Sequence, residues 1–252
     1  MTTALDAAAR FGPYFAWEPW DGRPGWRPLS DLLDEDVVAE RVEAARLVLV
    51  QLSGLTPDDI DERVVASVTF LGLASRLLSP PLAAAVAGGA LPVPDADRLW
   101  WRPVPGGPIP IAYQDLDTVQ CGELGPGAIA KALAVRELVG PLLEVVGRRF
   151  TVSPQVLWGN VASALGGAAG MIADAAPEHA ERSAAVVEHA LAIEPLRGMA
   201  SLVRPDPRRA RWFLVRHNCC LYYRIPGGGT CGDCVLTPDE DRRQHWQSVL
   251  SR

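Results

Sequence analysis

The sequence predicts an α+β fold that is mainly α, with a helical body, a small β hairpin or sheet, and a C-terminal four-cysteine tail. Apolar residues recur at helical spacing through several long segments. One shorter segment has two strand-like runs around a Pro-Gly-Gly-Pro turn. Four of the five cysteines lie between residues 219 and 234. We expect one compact unit, with residues 1–205 as the helical body and residues 206–252 as a cysteine-bearing segment packed on it.

Composition narrows the class of protein. The chain has 252 residues, of which 48% are hydrophobic, enough for a sizeable core. The net charge of the chain is −6, and the sequence contains no block of basic residues, which argues against a nucleic-acid partner. The first residues lack the basic and apolar regions of a secretion signal, so we expect a cytoplasmic protein. Residues 77–94 and 152–173 have the length of a membrane span but contain prolines, glycines or polar residues. We predict buried helices or turns there and no transmembrane segment, while a peripheral membrane contact stays possible.

The N-terminal half is predicted from its apolar spacing. Residues 1–30 are rich in aromatic residues and prolines without helical or strand periodicity, which predicts an irregular arm that packs tryptophans on the body. An apolar stripe over residues 37–49 predicts a helix. A second helix should begin near Thr56, run almost wholly apolar through the centre of the fold, and end near Pro80 and Pro81 because proline disrupts a helix interior.

A β element and two further helices follow. Residues 98–104 and 109–113 predict a hairpin, and the isolated Cys121 is expected to be a small buried hydrophobe. Residues 126–149 predict a helix that Pro141 kinks or splits. Ser153 should cap the next helix, in which Gly166 and Gly170 allow another helix to approach closely.

The C-terminal segment places its cysteines between a strand and a helix. Residues 211–216 predict a strand that leads to Cys219 and Cys220. Adjacent side chains in a strand point to opposite faces, so the backbone must leave regular geometry for both thiols to reach one centre. Pro226 and the three glycines after it should turn the chain back toward Cys231 and Cys234, which can face one metal from a single turn around Gly232. A capping box at residues 237–240 should open a final helix whose Trp246 holds the tail to the body.

Three chemistries can account for four clustered thiols. Disulfides are disfavoured in a reducing compartment. A zinc ion held by four cysteines usually takes two knuckles of the C-x2-4-C type, and an adjacent pair makes a poor knuckle. A [2Fe–2S] cluster takes two thiolates per iron and suits two pairs on either side of a loop. Residue chemistry places iron–sulfur modestly ahead of zinc, and zinc stays open.

The spacing C-C-x10-C-x2-C resembles the C-terminal signature of the FhuF-like ferric iron reductases, also called ferric-siderophore reductases. The flanking segments at residues 219–224 and 226–234 look similar to that family as well, and so do residues 157–160 and 100–103. The resemblance runs loosely over most of the chain. It implies that Cys219, Cys220, Cys231 and Cys234 hold one [2Fe–2S] cluster through which electrons pass.

The resemblance also implies a function. It would be one-electron reduction of ferric iron in a ferric siderophore, with a hydroxamate as the expected type, which releases ferrous iron in the cytoplasm. Residues 227–232 satisfy G-x-G-x-x-G, but no crossover helix follows at once, so we interpret the match as coincidence. We find no Walker loop and no flavin motif, so a ferredoxin or a reduced flavin would supply the electron. Tyr223 would help to shape the cluster's field. The alternatives are a [2Fe–2S] sensor or interaction protein, and a zinc-stabilised binding module without redox activity. Candidates for the field or the carrier pocket are Trp100, Trp101, Trp158, Asn160, Arg216 and Arg224.

Overall fold

The structure is a computed structural model that describes residues 2–251. Its helices are α1 Thr2–Ala9, α2 Glu35–Ser53, α3 Glu62–Ala87, α4 Pro126–Ala132, α5 Val135–Phe150, α6 Pro154–Ala175, α7 Ala180–Leu191 and α8 Asp239–Leu250. Its strands are β1 Trp17–Pro19, β2 Arg27–Pro28, β3 Ala90–Pro92, β4 Leu99–Trp101, β5 Ile111–Tyr113, β6 Thr118–Gln120, β7 Ala200–Val203 and β8 Phe213–Arg216. The mainly helical α+β class is therefore confirmed, whereas the boundary near residue 205 stays a prediction.

The strands form three small sheets beside the helices. The largest has the order β1-β5-β4-β2, and its centre is the predicted hairpin, in which β4 and β5 pair antiparallel. Strands β3 and β6 form a second sheet. The third pairs β7 with β8 antiparallel, from Ala200 opposite Arg216 to Val203 opposite Phe213. This last pairing was not predicted, and it ties the strand before the cysteines to the body.

Helices α3 and α6 pack against each other at the centre of the molecule. Both are long and apolar enough to cross a bilayer by length and composition. We expected residues 77–94, which overlap the end of α3, and residues 152–173, most of which lie in α6, to lack the apolar character of a membrane span. In each helix 78% of the apolar window is buried inside the protein. Core helices of soluble proteins show this combination of length and burial, so the criterion is only weak support for a membrane span.

Helix α3 continues through Pro80 and Pro81 to Ala87, so the predicted end at the proline pair was wrong. Proline lacks the amide that would bond to the carbonyl four residues earlier. At Arg76 the freed carbonyl is satisfied from outside the helix, because the indole Nε1 of Trp17 donates to it at 2.9 Å. The helix therefore keeps its course where a tryptophan replaces the missing donor.

The Arg76 side chain fastens the N-terminal segment to α3. Its guanidinium is buried and donates to the carbonyls of Ile109, Pro13 and Ala16, each at 2.7 Å. Burial lowers the pKa of this arginine to about 10. Residues 1–30 are thus not wholly irregular as predicted: they begin with α1, whose Leu5 is buried against the core.

Two other expectations are corrected by packing. The break in the predicted helix at 126–149 falls at Ala134, which has a left-handed φ of 45°, and not at Pro141 inside α5. The break lets α4 pack on α7 while α5 packs on α2 and α3. The predicted capping box at Thr237 does not form, because its hydroxyl donates to Thr230 at 3.1 Å. Helix α8 is held by Trp246, whose ring stacks on Phe213 at 5.3 Å.

Candidate metal centre

The cysteine segment is anchored at the end of β8. The amide of Arg216 donates to the carbonyl of Asp233 at 3.1 Å, which joins the two halves of the segment. The amide of His217 donates to Met199 at 2.9 Å and extends the pairing with the β7 side. Both cysteine pairs therefore start from one fixed edge of the small β7–β8 sheet.

The backbone leaves regular geometry directly after the first pair, as predicted. Leu221 has a left-handed φ of 71°, which is uncommon for a residue other than glycine. A single turn over Tyr222–Arg224 follows. Strand β8 ends at Arg216, so Cys219 and Cys220 lie outside the strand and its alternation of faces does not apply to them.

The glycine loop behaves as predicted at two positions. Gly227 and Gly229 have φ of 73° and 69°, which side chains rarely adopt. Gly232, by contrast, has no left-handed φ, and a Cβ there would meet nothing within 4 Å. The turn between Cys231 and Cys234 therefore does not need glycine, contrary to our expectation.

One pair of sulfur atoms comes close to the separation of two ligands on one metal. The Sγ atoms of Cys220 and Cys231 are 3.4 Å apart. Two thiolates at about 2.3 Å from one tetrahedral metal lie about 3.8 Å apart. None of the cysteines forms a disulfide. The close pair takes one thiol from each side of the loop, instead of the two thiols of the C-x-x-C turn.

The four thiols differ in exposure. Cys220 and Cys234 are each 3% exposed, whereas Cys219 and Cys231 are half-buried. Backbone amides donate to the sulfur atoms of Cys219 and Cys234 at 3.3 Å in both cases, each from the residue two positions on. Such donors stabilise thiolates and tune the potential of a bound cluster.

The thiol acidities reflect this packing. The hydrogen bond with Cys231 lowers the pKa of Cys220 to about 6, and the nearby positive charge of Arg216 acts in the same direction. The same hydrogen bond raises the pKa of Cys231. Burial raises the pKa of Cys219. Of these three thiols, Cys220 is therefore the one that loses its proton most readily.

The donor types and their spacing fit a two-iron cluster. All four clustered residues are cysteines, and a [2Fe–2S] cluster takes two thiolates on each iron. The sulfur atoms of Cys220 and Cys231 form one close pair across the glycine loop. Burial raises the pKa of Cys219, and this thiol is also near enough to Cys220 and Cys234 for their charges to raise it. The adjacent pair Cys219 and Cys220 makes a poor zinc knuckle.

A buried hydrogen-bond chain supports Cys220 from the body. The Ser67 hydroxyl of α3 donates to the Cys220 carbonyl at 2.8 Å. The Asn160 amide of α6 donates to the Ser67 carbonyl at 2.8 Å and to its hydroxyl at 3.0 Å. Ser67 and Asn160 are fully buried, so the two central helices hold the first cysteine pair in place.

Three glycines on one face of α6 allow residues 211–218 to approach the helix closely. A Cβ at Gly159 would lie 1.8 Å from Asn218, one at Gly166 would lie 2.4 Å from Leu214, and one at Gly170 would lie 1.7 Å from Arg211. Positions seven and eleven residues apart share one helix face. The close partner of Gly166 and Gly170 is thus strand β8 and the residue leading into it, not the helix that we expected.

The second cysteine pair has its own supports. The Ser163 hydroxyl donates to the carboxylate of Asp233, which lies between Cys231 and Cys234. The Arg242 guanidinium of α8 donates to the carbonyls of Cys234 at 3.1 Å and Thr237 at 2.8 Å. Helix α8 therefore closes the segment from the C-terminal side.

Two of the proposed arginines lie close to the thiols in sequence but differ in environment. Arg216 is 1% exposed and donates to Asn218 at 3.0 Å, while its Nε and Nη1 have no hydrogen-bond partner among residues 2–251. Arg224 is exposed beside Tyr223. Arg216 thus places a buried positive charge near Cys219 and Cys220.

The proposed tryptophans and Asn160 lie elsewhere. Trp100 stacks on Trp20 with ring centroids 4.6 Å apart, and Trp101 is 1% exposed beneath Arg27. Trp158 is half-buried against the core. Asn160 is enclosed by its bonds to Ser67. A substrate role for these residues stays a prediction.

A cleft beside Cys231 went unnoticed in the sequence. Its volume is about 570 Å³, and residues 231–233 form part of its wall. None of the six residues proposed for the field or the carrier pocket lines it. The sequence feature that could have indicated the cleft is the pair Gly72 and Gly167. Both are glycines within helices, and a Cβ at either position would have no atom within 4 Å. Other lining residues are Tyr14, Val68, Ser163, Met171, Arg211, Trp212 and His245.

Two comparisons bear on this site. A search of curated proteins returned no match to the chain. The family model described as "FhuF 2Fe-2S C-terminal domain" matches residues 216–236. This span contains all four clustered cysteines, and the match confirms both the FhuF-like resemblance and the [2Fe–2S] cofactor. From Arg216 to Leu236, where β8 ends and the four cysteines follow, the chain is similar to the FhuF 2Fe-2S C-terminal domain.

Proposed function

We propose that this protein reduces the ferric iron of a ferric siderophore to ferrous iron in the cytoplasm. The match of residues 216–236 to the FhuF domain, with every cysteine of the set in place, carries the proposal. The partly exposed Cys231 in the wall of an open cleft supports it, since an external electron acceptor needs access to the centre.

The chain's own residues would hold and insulate the redox group. The bound cluster supplies one-electron chemistry, which matches the single electron that separates Fe³⁺ from Fe²⁺. Cys219, Cys220, Cys231 and Cys234 are its ligands in this proposal. Leu221 donates a hydrogen bond to one of these sulfur atoms through its amide. The α3 and α6 helices exclude water from the inner side.

The substrate and the electron donor are parts of the proposal. Hard hydroxamate oxygens bind Fe³⁺ much more tightly than Fe²⁺, so reduction loosens the metal without destroying the carrier. The G-x-G-x-x-G match at residues 227–232 lacks the crossover helix of a dinucleotide site, and the sequence shows no Walker loop or flavin motif, which favours an external ferredoxin or reduced flavin as the donor.

The test is a visible spectrum of anaerobically purified protein before and after dithionite, followed by a ferric hydroxamate and a ferrous trap. We expect cluster bands that bleach with dithionite and return as ferrous iron appears in the trap. Bleaching without return would support a sensor or interaction protein instead. Colourless protein with one zinc ion, even after cluster reconstitution, would refute the proposal.

A further inference from the structure

We infer that the cleft beside Cys231 is the docking site for the ferric carrier. This inference rests on the proposed function and adds the place of binding. The cleft lies between α3, α6, β8 and α8, and Cys231, Gly232 and Asp233 form the wall that belongs to the cysteine segment. Cys231 is thus the one clustered cysteine that borders the cleft.

The size and lining of the cleft suit a small chelate. A volume of about 570 Å³ falls inside the range of about 300–1,000 Å³ that small-molecule sites occupy. Gly72 of α3 and Gly167 of α6 widen it, because a Cβ at either position would meet nothing within 4 Å. Met171 stands at the same surface with 42% of its area exposed. The cleft therefore has a largely apolar lining and is open to solvent, so a ligand can enter it.

The charges of the cleft favour an uncharged complex. Arg211 lies 3.2 Å from the carboxylate of Asp174, which compensates its charge. The Asp233 carboxylate already accepts a hydrogen bond from Ser163. The only other ionisable side chains in the lining are Tyr14, Cys231 and His245, so no unpaired cationic cluster faces the cleft. Three monoanionic hydroxamates neutralise Fe³⁺, whereas three catecholates leave three negative charges that this lining does not balance.

Two side chains in the wall have buried donors that make no hydrogen bond to any residue between 2 and 251. They are the indole N–H of Trp212 and the Nε and Nη1 groups of Arg211, of which Nε lies 3.2 Å from the Asp174 carboxylate. A buried donor of this kind is costly unless a ligand or water completes it. Trp212 lines the cleft next to Arg211, so a carrier oxygen in the cleft is a suitable acceptor.

The experiment measures binding of a redox-inert analogue, a gallium(III) hydroxamate, to the cluster-loaded full chain by calorimetry. Met171→Trp and Gly167→Phe both fill the cleft, and we expect each to weaken binding at least about tenfold. Leu52→Trp is the matched control: Leu52 is an 80% exposed helical residue that does not line the cleft. Its variant should bind as the wild type does. A gallium tricatecholate should bind at least about tenfold more weakly than the hydroxamate.

The outcomes separate this inference from the proposed function. Wild-type binding that neither cleft variant weakens, or no wild-type binding at all, would overturn the docking site even if the protein reduces ferric carriers. Binding that both cleft variants weaken, in a protein that does not reduce the ferric complex, would keep the docking site and reject the reductase function. Equal binding of the tricatecholate would contradict the charge argument.

Discussion

The central helices and the cysteine segment are stabilised by different interactions. Helices α3 and α6 bury residues such as Val65, Phe70 and Leu165 completely. Within residues 216–236, Cys220, Ile225 and Cys234 are buried, Leu221 and Tyr222 are partly buried against the core, and Tyr223 and Leu236 remain 44% and 53% exposed. The hydrophobic effect therefore contributes more to the helices than to the segment.

The segment depends on specific contacts instead. It rests on hydrogen bonds to Ser67 and Ser163 and on the close approach of Asn218 to Gly159 of α6, while Leu214 and Arg211, just before it, approach Gly166 and Gly170. In the proposed function, metal ligation by its thiols adds to these contacts. Each of these is lost when one atom is removed or added, whereas apolar packing is spread over many residues. The difference teaches that the body should fold without the cluster, while the segment should need both the body and the cluster.

The strongest test of this difference is Cys231→Ser. We expect complete loss of the cluster and of ferric reduction, because one thiolate of the close sulfur pair is removed. The helical circular-dichroism signal should remain, since the central helices do not depend on the segment. Visible absorption, iron content and circular dichroism measure the three properties on one sample.

Cys121→Ala is the matched control for that change. Cys121 is fully buried and away from the four clustered thiols, next to the β3–β6 sheet. The variant should keep its cluster and lose about 1 kcal/mol of stability from the smaller side chain. Unfolding of the helical body in Cys231→Ser, with the control intact, would show that the body depends on the cluster after all.

The next largest effect is expected for Gly159→Ala. The new Cβ would lie 1.8 Å from the Asn218 side chain, so the segment must move away from α6. We expect a loss of about 3 kcal/mol, the upper end for overpacking, together with lower cluster occupancy. Chemical denaturation and iron content measure these two effects.

Gly167→Ala gives the comparison on the same helix. No atom lies within 4 Å of a Cβ at that position, so alanine should raise helix stability by about 0.5–1 kcal/mol. Equal effects of the two substitutions would mean that the segment does not rest on the glycine face. Both substitutions change the helix propensity in the same way, so the difference between them measures the effect of the close contact at Gly159.

Features of the two regions were predictable to different extents. The apolar stripes predicted α2, the centre of α3 and α6 because buried helices repeat every 3.6 residues. The adjacent cysteines predicted an irregular backbone at the first pair, and the left-handed residue follows directly, at Leu221. That the four cysteines are ligands stays a prediction. The end of α3 was missed because the donor that replaces the proline amide, Trp17, is 59 residues away in sequence.

The contacts of the site were harder to predict than its candidate ligands. Nothing local at Gly159 or Ser67 indicates that each meets a residue of the cysteine segment. The pairing of Cys220 with Cys231 depends on how the glycine loop folds back, and thiol spacing alone allows other pairings. The cleft was missed because it is made of helical glycines and side chains from four elements.

A smaller effect is expected for Ser67→Ala. The change removes the donor to the Cys220 carbonyl and an acceptor for Asn160, so two buried polar groups lose a partner. We expect about 1–2 kcal/mol lower stability and a cluster that is lost faster to a chelator. Ser75→Ala is the control, because the Ser75 hydroxyl bonds only within its own helix, to Leu71 at 2.9 Å. Identical chelator kinetics in both variants would remove Ser67 from the support of the cysteines.

The smallest effect is expected for Trp100→Leu, which tests where the carrier binds. Trp100 stacks on Trp20 at 4.6 Å and does not line the cleft beside Cys231. Loss of the stack should cost about 1 kcal/mol in a thermal or chemical melt. With the carrier in the cleft, affinity for the gallium hydroxamate should stay within about twofold of wild type. A large loss of affinity would instead place the carrier at the tryptophan stack, as the sequence resemblance first suggested.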